Sequence, residues 1–293
     1  MSALVLLTPD APDGRIADPE APQLLVTDLG VVRGDGIFET LLAVGGRPLQ
    51  LEAHLDRLAS SAEALDLTLP DGAHWRTAIE TGLAEFARRH GDGEAMIRLV
   101  GTRGVDASGP PTCWVYLQPV PAGNRELRDR GLDVVLLDRG YSSEAASVAP
   151  WLLLGSKTTS YAVNMAALRY AHRQGADDAI FVSSDGRVLE GPTSTVLIAR
   201  TRDGVRELVT PLLRSGILAG TTQGALFATA EPAGWQLGYG PLTPEDLIDN
   251  DGVWLASSVR LLAPIRSVDG RQIPVSAELT DELTELLLTA TRR

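Results

Sequence analysis

The sequence is poor in two reactive residue types: it has one cysteine, Cys113, and one lysine, Lys157. A single thiol excludes an internal disulfide framework and a cysteine-based zinc cluster. His54, His74, His90 and His172 are scattered without metal-ligand spacing, so no metal site is expected. No apolar run approaches the ~18 residues that a membrane span requires. The opening Met1-Ser-Ala-Leu-Val-Leu-Leu-Thr-Pro-Asp10 has no basic n-region and turns polar too early for a signal peptide. Neither Gly-x-Ser-x-Gly nor Gly-x-x-x-x-Gly-Lys occurs, which argues against those serine-hydrolase and nucleotide-triphosphatase chemistries. Positive charge is also short, with 26 basic residues against 38 acidic ones and a net charge of −12. No segment forms the basic stripe that phosphate backbones demand. A cytoplasmic protein is expected, with no nucleic-acid or membrane partner, in which a few arginines gathered locally meet any anionic ligand.

What is present suffices for a large core. Hydrophobic residues make up 44% of 293, and that length favours two domains. Residues 24–44 alternate apolar stretches with Gly-rich turns and read as strands. Leu51, Leu55, Leu58 and Leu65 follow helical spacing, and a second helix is expected over 73–89. Strands are expected at 97–100 and 113–117, followed by a Pro-rich, polar stretch that suits a linker over 120–130. A domain over 1–119 and another over 131–293 follow from that division. In the second, a strand at 134–137 precedes a helix after Lys157. A hairpin-like segment is expected over 179–199 around Asp185-Gly186, with helices over 221–229 and 276–290. The mixed pattern is not the clean βαβ alternation of a doubly wound sheet.

The lysine is the most informative residue. Where 25 of 26 basic side chains are arginine, a lone lysine marks chemistry that a guanidinium cannot do: losing a proton, or condensing with a carbonyl. Its setting, Trp151-Leu-Leu-Leu-Gly-Ser-Lys157-Thr-Thr-Ser-Tyr161, places it after an apolar run and before a helical pattern. Survival of one lysine amid an arginine bias is the alternative. Arg33-Gly34-Asp-Gly36 lacks the third glycine of a dinucleotide fingerprint. Glu190 in Glu190-Gly-Pro-Thr-Ser194 reads by itself as an ordinary loop acid. Thr221 and Thr222 open a helix, where exposed amides either bind phosphate or are simply capped. Ser257-Ser258 is either a further pair of donors or a strand end.

In order, these pieces resemble the class IV aminotransferase family, fold-type IV enzymes that use pyridoxal 5′-phosphate (PLP). The matching segments are Gly34-Asp-Gly-Ile-Phe38-Glu-Thr40, His54-Leu-Asp-Arg57-Leu, Arg98-Leu-Val-Gly-Thr-Arg103-Gly, Lys157-Thr-Thr-Ser-Tyr161-Ala-Val-Asn164, Glu190-Gly-Pro-Thr-Ser194, Gly220-Thr-Thr222 and Ser257-Ser258. The resemblance implies a two-domain α+β fold, with a small N-terminal α/β domain and a larger C-terminal pseudo-barrel domain, the cofactor in the cleft, and a homodimer. It makes Lys157 the Schiff-base lysine and general acid and base. It sets Glu190 against the pyridine nitrogen and Arg57 on the cofactor phosphate, with Thr221 and Thr222. Ser194, Ser257 and Ser258 join the cofactor-binding set, and Tyr161 sits near the ring O3′. Asn164 is a neighbour of that set or a packing residue.

The family hosts two competing reactions. A lyase converts 4-amino-4-deoxychorismate to 4-aminobenzoate and pyruvate, a folate-pathway step. A transaminase passes the amino group of a D-amino acid or a branched-chain L-amino acid to a 2-oxo acid. Lys157-x-x-x-Tyr161-x-x-Asn164 resembles the lyases more, whereas Thr102-Arg103-Gly104 also resembles D-amino-acid transaminases. An anionic small-molecule substrate is expected, and the lyase substrate carries two carboxylates. Arg33, Arg98, Arg103, Arg139 and Arg260 are the cations available to them, with Phe38 on the substrate side. Many relatives carry an aromatic residue where this chain has Arg33, which argues against a simple apolar amino acid as substrate.

Overall fold

The computed structural model describes residues 2–291, and the chain divides into two compact units. Unit 1 comprises residues 1–121 and 156–161; unit 2 comprises 122–155 and 162–293. The lysine segment, expected in the second domain, therefore groups with the first.

Unit 1 runs through β1 (Ala3–Thr8), β2 (Ala11–Ala17), α1 (Leu29–Arg33), β3 (Gly36–Val44), β4 (Arg47–Pro48), α2 (Leu51–Ala64), α3 (Gly72–His90), β5 (Ala95–Thr102) and β6 (Thr112–Pro119). The strands form one antiparallel sheet in the order β2-β1-β6-β5-β3-β4. Ile37, Leu41, Ile97, Leu99, Val115 and Leu117 are fully buried on alternate positions, the period-two pattern of a sheet with one face covered. Leu55 and Leu58 of α2, and Trp75, Ile79 and Phe86 of α3, are the buried stripes of the two helices.

Unit 2 holds α4 (Gly123–Arg130), β7 (Leu132–Asp138), α5 (Ala145–Val148), α6 (Ala162–Arg173), β8 (Asp178–Val182), β9 (Thr195–Arg202), β10 (Val205–Pro211), α7 (Thr221–Ala230), β11 (Gln236–Gly240), β12 (Gly252–Ser257), β13 (Leu261–Val268), β14 (Arg271–Gln272) and α8 (Ala277–Thr291). Its mixed sheet runs β11-β10-β9-β12-β13-β7-β8, with β14 beside β13. The core includes Leu132, Ile180, Val196, Ile198, Leu255 and Ile265. Two sheets with helices segregated from them give an α+β architecture. Among the described residues no helix is long and apolar enough to cross a membrane.

Three expectations require correction. Residues 29–33 are helical rather than extended, because Asp28 caps the Gly30 amide and Gly34, at φ +68°, closes the turn in the left-handed region. The stretch expected as a linker over 120–130 is mostly α4, whose Leu127 packs on the unit 2 core. Finally, β8 and β9 do not pair: the Asp185-Gly186 turn folds β8 back on residues 187–190 instead, through the Val182–Val188 bridge and backbone hydrogen bonds between Phe181 and both Leu189 and Glu190. The β1–β2 hairpin was not foreseen, because its second strand is largely exposed and lacks an apolar alternation.

Candidate active site

The only primary side-chain amine is held by its backbone. Lys157 donates its N–H to Ser61 Oγ of α2 at 3.1 Å, and its carbonyl accepts the Phe38 N–H of β3 at 3.0 Å. The next residue, Thr158, bridges Ile37, so this segment covers the edge of β3 beside its start. The hydroxyls of Thr159 and Ser160 both donate to the Gly34 carbonyl. Gly34 has to be glycine twice over: its φ is positive, and a Cβ there would meet Ser160 Oγ at 2.5 Å. Lys157 Nζ then lies 4.4 Å from the Phe38 ring centre and 5.5 Å from that of Tyr161. Those two rings meet edge to face at 5.1 Å. An amine against two ring faces keeps a restricted position, and aromatic walls limit the water around it.

Behind this wall lies a buried ionic cluster that sequence reasoning missed. Glu39 of β3 is fully buried and accepts Arg57 Nε at 2.7 Å and Nη2 at 2.8 Å. Its second oxygen also meets His54 Nδ1 at 2.7 Å. Burial alone would raise the Glu39 carboxyl, yet the Arg57 and His54 hydrogen bonds outweigh it and hold its pKa at about 2. Burial likewise lowers the His54 imidazole, although Glu39 pulls the other way. Arg57, expected on the cofactor phosphate, is thus a braced guanidinium whose fork geometry is fixed by a buried carboxylate.

Unit 2 assembles the other expected residues. Glu190 follows a strand-like segment paired with β8, and its Oε2 accepts the Leu218 N–H at 3.0 Å. That contact ties the carboxylate to the loop entering α7. At the α7 N-terminus, Thr221 Oγ1 lies 3.4 Å from Ser258 Oγ, which brings the turn after β12 to the helix start. A Cβ on Gly220 would meet Thr195 Oγ1 at 2.4 Å, so the chain can enter α7 this closely only as glycine. Ser257 ends β12, one residue before Ser258. The Thr222 and Ser194 hydroxyls are buried and find no hydrogen-bond partner among the described residues. A buried hydroxyl without a partner costs about 1–3 kcal/mol unless a ligand satisfies it. Orphaned hydroxyls near a helix N-terminus are donors of the kind that fits a phosphate. The Glu190 carboxylate fits a protonated ring nitrogen, so the residues present suit PLP.

The expected substrate-side arginines separate. Arg98 is exposed in mid-strand; its cross-strand partners are Thr40 and Tyr116, so it shares a sheet face with Phe38. It pairs with no carboxylate among the described residues. Arg33 is likewise exposed and unpaired there, in the last turn of α1. Arg103 donates to both oxygens of Asp35 and to the carbonyls of Leu65 and Asp66, so its fork is spent on fold contacts rather than open to substrate. Arg139 stacks 4.3 Å from the Phe181 ring centre and donates to Asn164, whose amide in turn donates to the Pro192 carbonyl. Arg260 is buried on Asp178, with Nη2 to Oδ2 at 2.8 Å. The expectation that it binds substrate is corrected: a guanidinium buried on its own carboxylate is an internal ion pair.

Comparison with known proteins identifies the family. Residues 36–268 match the model of the amino-transferase class IV family. The chain is 45% identical over 285 residues to the bifunctional aminodeoxychorismate lyase / D-amino acid transaminase of Mycobacterium tuberculosis, covering 96% of this chain and 98% of that one. Among solved structures it resembles the PLP-bound form of a hypothetical aminotransferase from Mycobacterium tuberculosis, at TM-score 0.92 and 44% identity, covering 99% and 98% of the two chains. It also resembles the fold IV-transaminase CpuTA1 of Curtobacterium pusillum, at TM-score 0.91 and 46% identity, covering 98% and 99%. The chain belongs to the class IV aminotransferase family and is a PLP-dependent enzyme of the two-domain, fold-type IV architecture.

Proposed function

We propose that this enzyme converts 4-amino-4-deoxychorismate to 4-aminobenzoate and pyruvate, and that the same site transaminates D-amino acids. The observation that carries the proposal is the 45% identity, over nearly the full length of both chains, to an enzyme named for both activities. It favours D-amino acids over branched-chain L-amino acids for the second reaction. In the first reaction the two products together contain every atom of the substrate, so no amino acceptor is consumed.

When bound, PLP supplies an electron sink for the substrate carbon next to the amino nitrogen. Lys157 is the group that takes a proton from that carbon and returns one, and the Phe38 and Tyr161 rings limit its excursions. With PLP bound, Tyr161 would hydrogen-bond near O3′ and Glu190 would keep the ring nitrogen protonated. Arg57, braced by Glu39, would hold the phosphate, as would Thr221, Thr222, Ser257 and Ser258. Ser194 would complete the cofactor set, its hydroxyl, unpartnered among the described residues, being one of the donors that a ligand would satisfy. Arg98 and Arg33, which pair with no carboxylate among the described residues, would receive the substrate carboxylates. Arg103 acts through Asp35, fixing the turn that precedes β3, rather than on substrate.

A homodimer is part of the same reading. Leu25 and Val26 are 66% and 83% exposed, and Val31 and Val32 of α1 extend this apolar run, which suits burial against a second copy. A cytoplasmic location and a place in folate synthesis follow from the proposed substrate. The test is product analysis with aminodeoxychorismate, beside a panel of L- and D-amino acids with 2-oxoglutarate. 4-Aminobenzoate and pyruvate should form without added oxo acid, and D-amino acids alone should yield glutamate. Strict dependence of 4-aminobenzoate formation on 2-oxoglutarate would refute the lyase reading.

A further inference from the structure

We infer that Arg260 and Asp178 are positioning residues for the cofactor phosphate, acting through the turn that carries Ser257 and Ser258. Ser257 pairs with Leu261 across β12 and β13, so Ser258, Val259 and Arg260 form the intervening turn. Leu261 closes it at φ +59°, a left-handed conformation that a leucine adopts only when its surroundings impose it. Leu261 is itself buried, so packing holds one side of the turn. Arg260 holds the other: its Nη2 reaches Asp178 Oδ2 at the start of β8, 82 residues away in sequence, and Asp178 Oδ1 accepts the Ala179 N–H. The far end of the turn meets α7 through Ser258 and Thr221.

Stability is a poor reason for this ion pair. Both side chains are buried, and Arg260 Nε has no hydrogen-bond partner among the described residues. A buried pair with an unsatisfied donor is usually no better for the fold than an apolar pair of similar size. Geometry is the better reason. A short turn with a strained last residue has alternatives nearby, and a guanidinium anchored on β8 selects the one that presents Ser258 to the helix start. The inference rests on the reading that this turn and the α7 start bind the cofactor phosphate.

The test measures PLP affinity of the resolved and reconstituted protein, the 31P signal of the bound phosphate, and the melting temperature of the apoprotein. The variants are Arg260→Met, Asp178→Leu, the two combined, and Thr222→Val. The double variant, which replaces the pair by apolar groups, should melt near the wild type yet bind PLP about tenfold more weakly, with its 31P signal moved toward that of free PLP. Affinity that recovers in step with melting temperature, or is unchanged throughout, overturns the inference. If Thr222→Val weakens PLP while the double variant does not, only the inference falls. If Thr222→Val has no effect, the phosphate reading falls and the inference with it. Should the double variant not fold, Arg260→Lys decides: it keeps the charge but not the fork, and wild-type affinity there overturns the claim.

Discussion

The Glu39 carboxylate receives the Arg57 guanidinium along two parallel hydrogen bonds, Nε at 2.7 Å and Nη2 at 2.8 Å, from residues 18 apart on β3 and α2. Its folded pKa of about 2 lies below the ordinary 4.5. The carboxylate's stabilising contribution is therefore complete above pH 4.5 and disappears as the pH falls toward 2. Glu39→Gln should lower stability by about 3–5 kcal/mol at neutral pH, since it leaves a largely buried arginine without its counter-charge. Thermal melts of the two proteins should converge as the pH is lowered through that window. A gap that persists at pH 2 would contradict the assignment.

Lys157→Arg keeps a cation between the Phe38 and Tyr161 rings and leaves the backbone contacts of residue 157 in place. The variant should fold with an unchanged far-ultraviolet spectrum. It should lack the visible absorbance of the PLP-loaded enzyme and show no turnover, because a guanidinium cannot condense with the cofactor carbonyl. Appreciable residual activity would count against the role of Lys157.

Thr222→Val separates stability from binding. Its hydroxyl is buried without a partner among the described residues, so removal should leave the apoprotein equally stable or more stable by up to about 1 kcal/mol. The same change should weaken PLP by about tenfold or more, through loss of one hydrogen bond to a charged group. Calorimetry of the apoprotein and PLP titration are expected to move in opposite directions.

Arg98 and Arg103 should respond differently. Arg98→Gln is expected to raise KM for the dicarboxylate substrate by about tenfold with melting temperature unchanged. Arg103→Met gives up two hydrogen bonds to Asp35 and leaves two carbonyls unmet, and should cost about 1–3 kcal/mol of stability. Steady-state kinetics and melts on both variants check the contrast.

What could be read before any coordinates depended on local signals. Lys157 stood out by composition alone, and seven short motifs in a fixed order pointed to the family that residues 36–268 match. Long helices with clean apolar spacing, such as α2 and α3, were visible for the same reason. Glu39 was not, because a single acid in an apolar strand carries no mark of the histidine and arginine that reach it from α2. Arg260 read as a substrate-side cation, because nothing near it in sequence marks the Asp178 that meets it from another strand. Val31-Val32 reads as a strand because both residues are β-branched, but the cap at Asp28 and the left-handed Gly34 outweigh that preference and make the segment helical.

Residues 156–161 join unit 1 although the chain on both sides of them belongs to unit 2. The polypeptide thus passes from one unit to the other at three places, and no single cut yields an intact half. A fragment ending at Pro121 would keep the Phe38 ring and lose the amine. One beginning at Ala122 would keep the amine and lose Ser61, Gly34 and Phe38, to which its segment is tied. Splitting, shuffling or permuting the gene at the obvious junction would therefore disconnect the reactive nitrogen from its mooring, and the two parts can be inherited only together.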